Sequence, residues 1–114
     1  LQTDIIPILE SINGLANLEE ICSFAERVKI ISFGSHDLAK SINLKISEDE
    51  KEILEFRKNI VNKSKNIKSP IDTSFLNFKD LNGFEKSCNF VKKLGFGGKA
   101  CIHPDQVQIS NKIF

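Results

Sequence analysis

The sequence predicts an α/β fold of four parallel βα units, and three observations carry that expectation. Four short apolar runs, residues 5–10, 28–33, 71–76 and 99–103, are separated by segments whose apolar residues recur at helical spacing. Three capping boxes lie between the runs, with Asn17, Ser47 and Asn82 each followed three places later by Glu20, Glu50 and Glu85. The first run closes on an acid and the second leads into one, which sets two carboxylates at one rim of a parallel sheet.

The first run, Ile5-Ile6-Pro7-Ile8-Leu9-Glu10, reads as a strand, with Pro7 tolerated near its start because no ladder hydrogen bond is needed there. Residues 11–16 read as a loop. A helix follows from the Asn17 cap to about Glu26-Arg27, with Leu18, Ile21, Cys22 and Ala25 on its apolar face. Residues 28–33 are β-branched and apolar enough for a strand covered on both faces. They lead into Phe33-Gly34-Ser35-His36-Asp37-Leu38, a glycine turn that presents an acid. Gly34 there either takes positive φ or admits a close approach to its backbone.

A polar connection then reaches the longest helix, residues 48–65. Its inward stripe is Ile53, Leu54, Phe56, Arg57, Ile60 and Val61, and Glu48, Asp49 and Glu50 suit its N-terminal dipole. Ser69-Pro70 stops that segment. The third strand, 71–76, carries Asp72 near its N-terminal side, where a structural role is expected, either anchoring a loop or pairing with Arg57. The next helix presents Phe84, Cys88, Val91 and Leu94 and ends at Gly95. Gly97-Gly98 turns the chain into the fourth strand, 99–103. Pro104 begins a last helix with Val107, Ile109 and Ile113 among its apolar residues.

Composition excludes several classes. At 114 residues the chain is one globular unit, large enough to hold a core without disulfides. A formal charge of +1 gives no overall pull toward nucleic acid or anionic lipid. Lys58, Lys63, Lys65 and Lys68 form a loose basic cluster with no interleaved aromatic residues, a solvated face rather than an RNA surface. The apolar runs are too short to cross a membrane, and no export leader is seen. Cys22, Cys88 and Cys101 are odd in number and far apart, so reduced thiols and a cytoplasmic location are expected. Their spacings with His36 and His103 match no zinc motif.

Glu10 and Asp37 are the candidate metal ligands. Mg²⁺ takes oxygen ligands in octahedral geometry and usually only one or two protein carboxylates, so a pair of strand-end acids suits it. Two solvated strand-end acids would look the same in the sequence. No catalytic acid or base can be assigned.

Four segments carry a resemblance: residues 6–21 (IPILESINGLANLEEI), 31–39 (ISFGSHDLA), 69–80 (SPIDTSFLNFKD) and 94–107 (LGFGGKACIHPDQV). In this order they resemble the citrate lyase beta subunit family, also called the HpcH/HpaI aldolase family, which includes malyl-CoA and related acyl-CoA lyases. The resemblance implies the C-terminal half of a (β/α)8 TIM barrel, with residues 1–114 a partial barrel domain holding strands five to eight. It implies Mg²⁺ bound by Glu10 and Asp37, and an α-keto acid carboxylate held by backbone amides around Gly34, Ser35, His36 and Asp37. It implies a carbon–carbon lyase acting on a CoA thioester and a small α-keto acid, with no nucleic-acid or membrane partner. His103 either lines the site or positions CoA, or else fixes the turn at Pro104. Ser11 stands where threonine is common, and His36 where a small or acidic residue is common. A complete barrel runs to about 250 residues. The family's substrate-binding arginine, its lysine-bearing fourth strand and its C-terminal lid have no counterpart in these residues. A homo-oligomer, or association with the missing N-terminal half, is therefore expected. The alternative is a truncated half-barrel subunit or pseudoenzyme without turnover.

Overall fold

In the computed structural model, which describes residues 3–24, 26–64 and 69–114, four strands pair in parallel in the order β1-β2-β3-β4. They are β1 (Ile8–Leu9), β2 (Ser32–Phe33), β3 (Ile71–Asp72) and β4 (Gly98–Lys99). The helices are α1 (Ile12–Ala16), α2 (Leu18–Phe24), α3 (Ser35–Ser41), α4 (Leu54–Lys63), α5 (Leu81–Leu94) and α6 (Pro104–Ile113), and a single 3₁₀ turn, Lys51–Ile53, precedes α4. The alternation of strand and helix is the one expected. Each ladder is shorter than its apolar run, because apolar character reports burial while the ladder needs a paired N–H and C=O. Pro7 offers only its carbonyl, which accepts from Ser32 N at 2.9 Å, and among the described residues upstream of it the pairing is an isolated Ile5–Val28 bridge.

The sheet is two-faced. Leu9, Phe33, Asp72 and Lys99 are buried at one level of the register, and the apolar cluster of Leu15, Leu18, Ile31, Leu38, Ile53, Ile60, Val91 and Phe96 packs with Leu9 and Phe33. One residue earlier on β1, Ile8 points away from that core and is 61 % exposed, with Ile6 51 % exposed beside it. A parallel strand with one bare face is unusual, since βα crossovers normally cover both.

Several local expectations are corrected. Residues 11–16 are a helix rather than a loop: Ser11 caps α1, its Oγ accepting from Gly14 N at 3.0 Å. Asn17 is the C-cap of α1, and its side-chain amide donates to the Asn13 carbonyl. Residues 35–41, read as the end of a glycine turn and the start of a polar connection, are α3. Before α4, Ser47 bonds Glu52, not Glu50: its N–H and Oγ–H both donate to Glu52 Oε2, at 3.0 and 2.8 Å. Glu50 instead takes a left-handed conformation (φ 54°) and reaches Arg57, so the helix begins six residues later than expected. Asp80, not Asn82, caps α5, accepting from Gly83 N at 2.9 Å. Gly95 ends that helix at φ 120°, a conformation that favours glycine. The expected positions of Ala25 on α2 and of Lys65 at the end of α4 lie outside the described residues, as does Lys68.

Candidate active site

Register places the two candidate acids. Leu9 pairs with Phe33, and Gly34 N donates to Leu9 O at 2.9 Å, so Glu10 and Gly34 leave the sheet together at its C-terminal rim. Active sites of parallel βα folds sit at this rim, where the loops that follow the strands gather. Glu10 is exposed there, and Asp37 stands exposed in the first turn of α3, three residues beyond Gly34. Among the described residues neither acid forms an ion pair.

Gly34 serves Glu10 rather than a special backbone angle. Its φ is −107°, so positive φ is not used. Its missing Cβ is what counts: a Cβ there would lie 3.0 Å from Glu10 Cβ and 3.3 Å from Glu10 Oε2. The Glu10 carboxylate therefore lies over a cradle that a side chain would fill. Two hard oxygen donors at an open rim fit Mg²⁺, which leaves most of its positions to water and substrate. Among the described residues no group of three or more His, Cys, Asp or Glu could hold a metal ion.

Ser35 and His36 face the loop after β3. Ser35 is fully buried, its N–H and Oγ–H donating to Thr73 Oγ1 at 3.2 and 2.9 Å. The His36 ring meets the Ser74 carbonyl through Nε2 at 3.1 Å, and since a carbonyl only accepts, Nε2 carries the proton. A recess of about 530 Å³ is lined by His36, Asp37, Lys40, Asn43 and Leu76. A larger one, about 660 Å³, lies between the stretch before α4 and α5, where His36, Asp49, Phe75, Asp80 and Phe90 are among its walls. Glu10 lines neither, and Asp37 only the first.

Behind the rim lies a buried charge network that the sequence did not disclose in full. Arg57 Nε and Nη2 grip Asp72 Oδ1 and Oδ2, both at 2.9 Å, and Nη2 also meets Glu50 at 2.6 Å. Lys99 Nζ completes the set, 2.6 Å from Asp72 Oδ2, with both side chains wholly buried. Two acids thus face two bases. Burial lowers the Arg57 pKa, but its hydrogen bonds and charge attraction to Asp72 and Glu50 outweigh that and leave it above the ordinary value. The expected Arg57–Asp72 pair is present, although Asp72 ends β3 rather than beginning a longer strand. The burial of Lys99, the role of Thr73 and that of Gln106 were missed; a lysine set between glycine and small apolar residues was the available signal.

His103 fixes the turn at Pro104. It is the N-cap of α6, its Nδ1 accepting from Asp105 N at 3.2 Å, and its ring stacks on Phe78 with centroids 4.9 Å apart. Cys88 is buried in the core, where desolvation pushes its thiol up to about 11. Lys58 is paired with Glu55 on its own helix, in keeping with a solvated face.

Four parallel βα units, with Glu10 after β1 and Asp37 in the first turn of α3, describe half of a barrel-type α/β fold. The chain belongs to the HpcH/HpaI aldolase/citrate lyase family, whose model matches residues 1–104. Among its relatives, the mitochondrial citramalyl-CoA lyase of Rattus norvegicus is 30 % identical over 122 residues, covering 97 % of this chain and 36 % of that protein. RipC of Yersinia pestis superposes with a TM-score of 0.89 at 27 % identity, over 97 % of this chain and 51 % of RipC. The M. tuberculosis citrate lyase beta subunit complexed with oxaloacetate and magnesium superposes with a TM-score of 0.84 at 22 % identity, over 96 % and 52 % of the two chains. The chain spans little more than a third of the length of the curated relatives it matches, and about half of the solved structures.

Proposed function

We propose that these residues form the metal-carrying half of a Mg²⁺-dependent carbon–carbon lyase or aldolase, which makes or breaks the bond between a small α-keto acid and a CoA thioester. The observation that carries this reading is the Glu10 carboxylate laid over Gly34 at the same rim as Asp37. Family membership, the name of the citramalyl-CoA lyase relative and the magnesium and oxaloacetate in the M. tuberculosis structure support it. Glu10 and Asp37 hold the ion as a pair. When bound, Mg²⁺ polarises the keto carbonyl and offsets charge that develops on its oxygen.

The remaining contacts belong to the turn that opens α3. The N–H of Gly34 is taken by Leu9 and that of Ser35 by Thr73, which leaves the N–H groups of His36 and Asp37 to hold the keto-acid carboxylate. These strands are the fifth to eighth of a barrel. The bare face around Ile6 and Ile8 is where the first four units pack, from the same or another polypeptide, and a homo-oligomer is a further way to cover exposed edges. No helix among the described residues is long and apolar enough to cross a membrane. The three free cysteines support a reducing compartment, the cytoplasm, as the protein's location. A half-barrel without turnover is the second reading, favoured by that same bare face.

The test is incubation of the full-length chain with acetyl-CoA and a panel of small α-keto acids, pyruvate and oxaloacetate among them. Mass spectrometry should find a new hydroxyacyl-CoA that needs Mg²⁺ and disappears in Asp37→Asn. No adduct with any keto acid leaves the non-catalytic reading.

A further inference from the structure

Three successive carbonyls after β3 are each captured by a side chain from a different element. Lys99 Nζ on β4 donates to Thr73 O at 2.9 Å, His36 Nε2 on α3 meets Ser74 O at 3.1 Å, and Gln106 Nε2 on α6 donates to Phe75 O at 3.0 Å. Lys99 is held in turn by Asp72, and Gln106 Oε1 accepts from Ile102 N at 2.8 Å. An irregular segment normally spends its carbonyls on water, so a fully buried lysine and a fully buried glutamine committed to this one make it a rigid strut. The strut touches the candidate site at two neighbouring residues of one turn, His36 through the Ser74 carbonyl and Ser35 through the Thr73 hydroxyl. Thr73 Oγ1 accepts from both Ser35 N and Ser35 Oγ, and Ser35 is the first residue of the helix that carries Asp37 two residues later.

We propose that Thr73, locked by Lys99 and Asp72, is a positioning residue that sets the angle of the Ser35–Asp37 turn and so the place of the Asp37 carboxylate. The inference rests on the reading of Asp37 as a metal ligand. Neither Thr73 nor Ser35 touches the ion. Thr73 is 2 % exposed and Ser35 0 %, so water does not replace a lost hydroxyl bond, and the turn must shift to satisfy Ser35. Shifts behind a metal ligand typically lower affinity about 10- to 100-fold.

The experiment is Mg²⁺ calorimetry on the full-length chain as wild type, Thr73→Val and Thr73→Ser, each checked by a thermal melt. Valine keeps the shape and removes the acceptor; serine keeps the acceptor. Thr73→Val should bind Mg²⁺ about tenfold more weakly, and Thr73→Ser within about threefold of wild type. Equal affinity in all three, whatever the melts show, overturns the positioning role and leaves the metal pair standing. A wild type that takes up no Mg²⁺ overturns the metal reading and this inference with it. If Thr73→Val does not fold, Ser35→Ala decides by the same criterion: weakened binding supports the strut, and unchanged binding overturns it.

Discussion

Glu10 Oε2 stands 3.3 Å from the point where a Cβ on residue 34 would project, and Glu10 Cβ stands 3.0 Å from it. The acid and the glycine are one feature: the end of β1 lays its carboxylate across the start of α3, where a side chain on residue 34 would press it aside by a few tenths of an ångström. A fold-level requirement for glycine would leave a different trace, such as positive φ, and Gly34 shows none.

Gly34→Ala therefore separates site from fold. The backbone at φ −107° accepts alanine, and the groups that must move by a few tenths of an ångström, Glu10 and Ile8, are both exposed. Stability should stay within about 1 kcal/mol of wild type. Mg²⁺ demands near-ideal geometry, so affinity should fall roughly tenfold. Denaturant unfolding and calorimetry on one preparation check both. Unchanged affinity would show that the Glu10 cradle is incidental.

The buried charges predict a different pattern. Asp72→Asn leaves Arg57 and Lys99 buried without their shared counter-ion, a loss of about 3–5 kcal/mol. Lys99→Met should cost less, because Arg57 still grips Asp72 through two hydrogen bonds. Urea midpoints with unchanged slopes measure both. An Asp72→Asn protein as stable as wild type would mean that the network is better solvated than its burial indicates.

The knot before α4 should titrate. The Ser47 N–H, with a hydroxyl shared between the two acids, holds the Glu52 carboxyl below its ordinary pKa, and the shared hydroxyl together with the Lys51 N–H does the same for Asp49. A depressed folded-state pKa stabilises the fold above the unfolded value, and that stabilisation is lost as pH falls through the folded one. The melting temperature of wild type should exceed that of Ser47→Ala at pH 6, and the gap should close as pH drops below about 4. A gap that persists into strong acid would show that Ser47 acts without the two carboxylates.

The parallel βα order was legible because each strand left an apolar run and each was separated by a helix-length interval. What the runs could not show was how few of their residues would join the ladder. Helix α1 is five residues, too short to display a 3.6-residue period, and α3 (SHDLAKS) holds only Leu38 and Ala39 as apolar residues, so they read as a loop and as a glycine turn running into a polar connection. Ser47 and its neighbours were visible as a helix start, yet the partner was wrong. Arg57 recruits Glu50, and the bond falls to Glu52, a competition that only tertiary contacts decide. The approach of Glu10 to Gly34 at the rim was readable from a strand end and a glycine. The strut behind it was not, because lysine and glutamine are expected at the surface, and only the fold brings Lys99 and Gln106 to the Thr73–Phe75 carbonyls.

Mg²⁺ calorimetry on wild type, Glu10→Gln, Asp37→Asn and the double variant tests the central claim most directly. One ion held by both carboxylates predicts a single site in wild type, affinity at least about tenfold weaker in each single variant, and little further loss in the double variant, because the two residues act as a unit. Wild-type binding that survives both substitutions, or no binding in wild type, would contradict it.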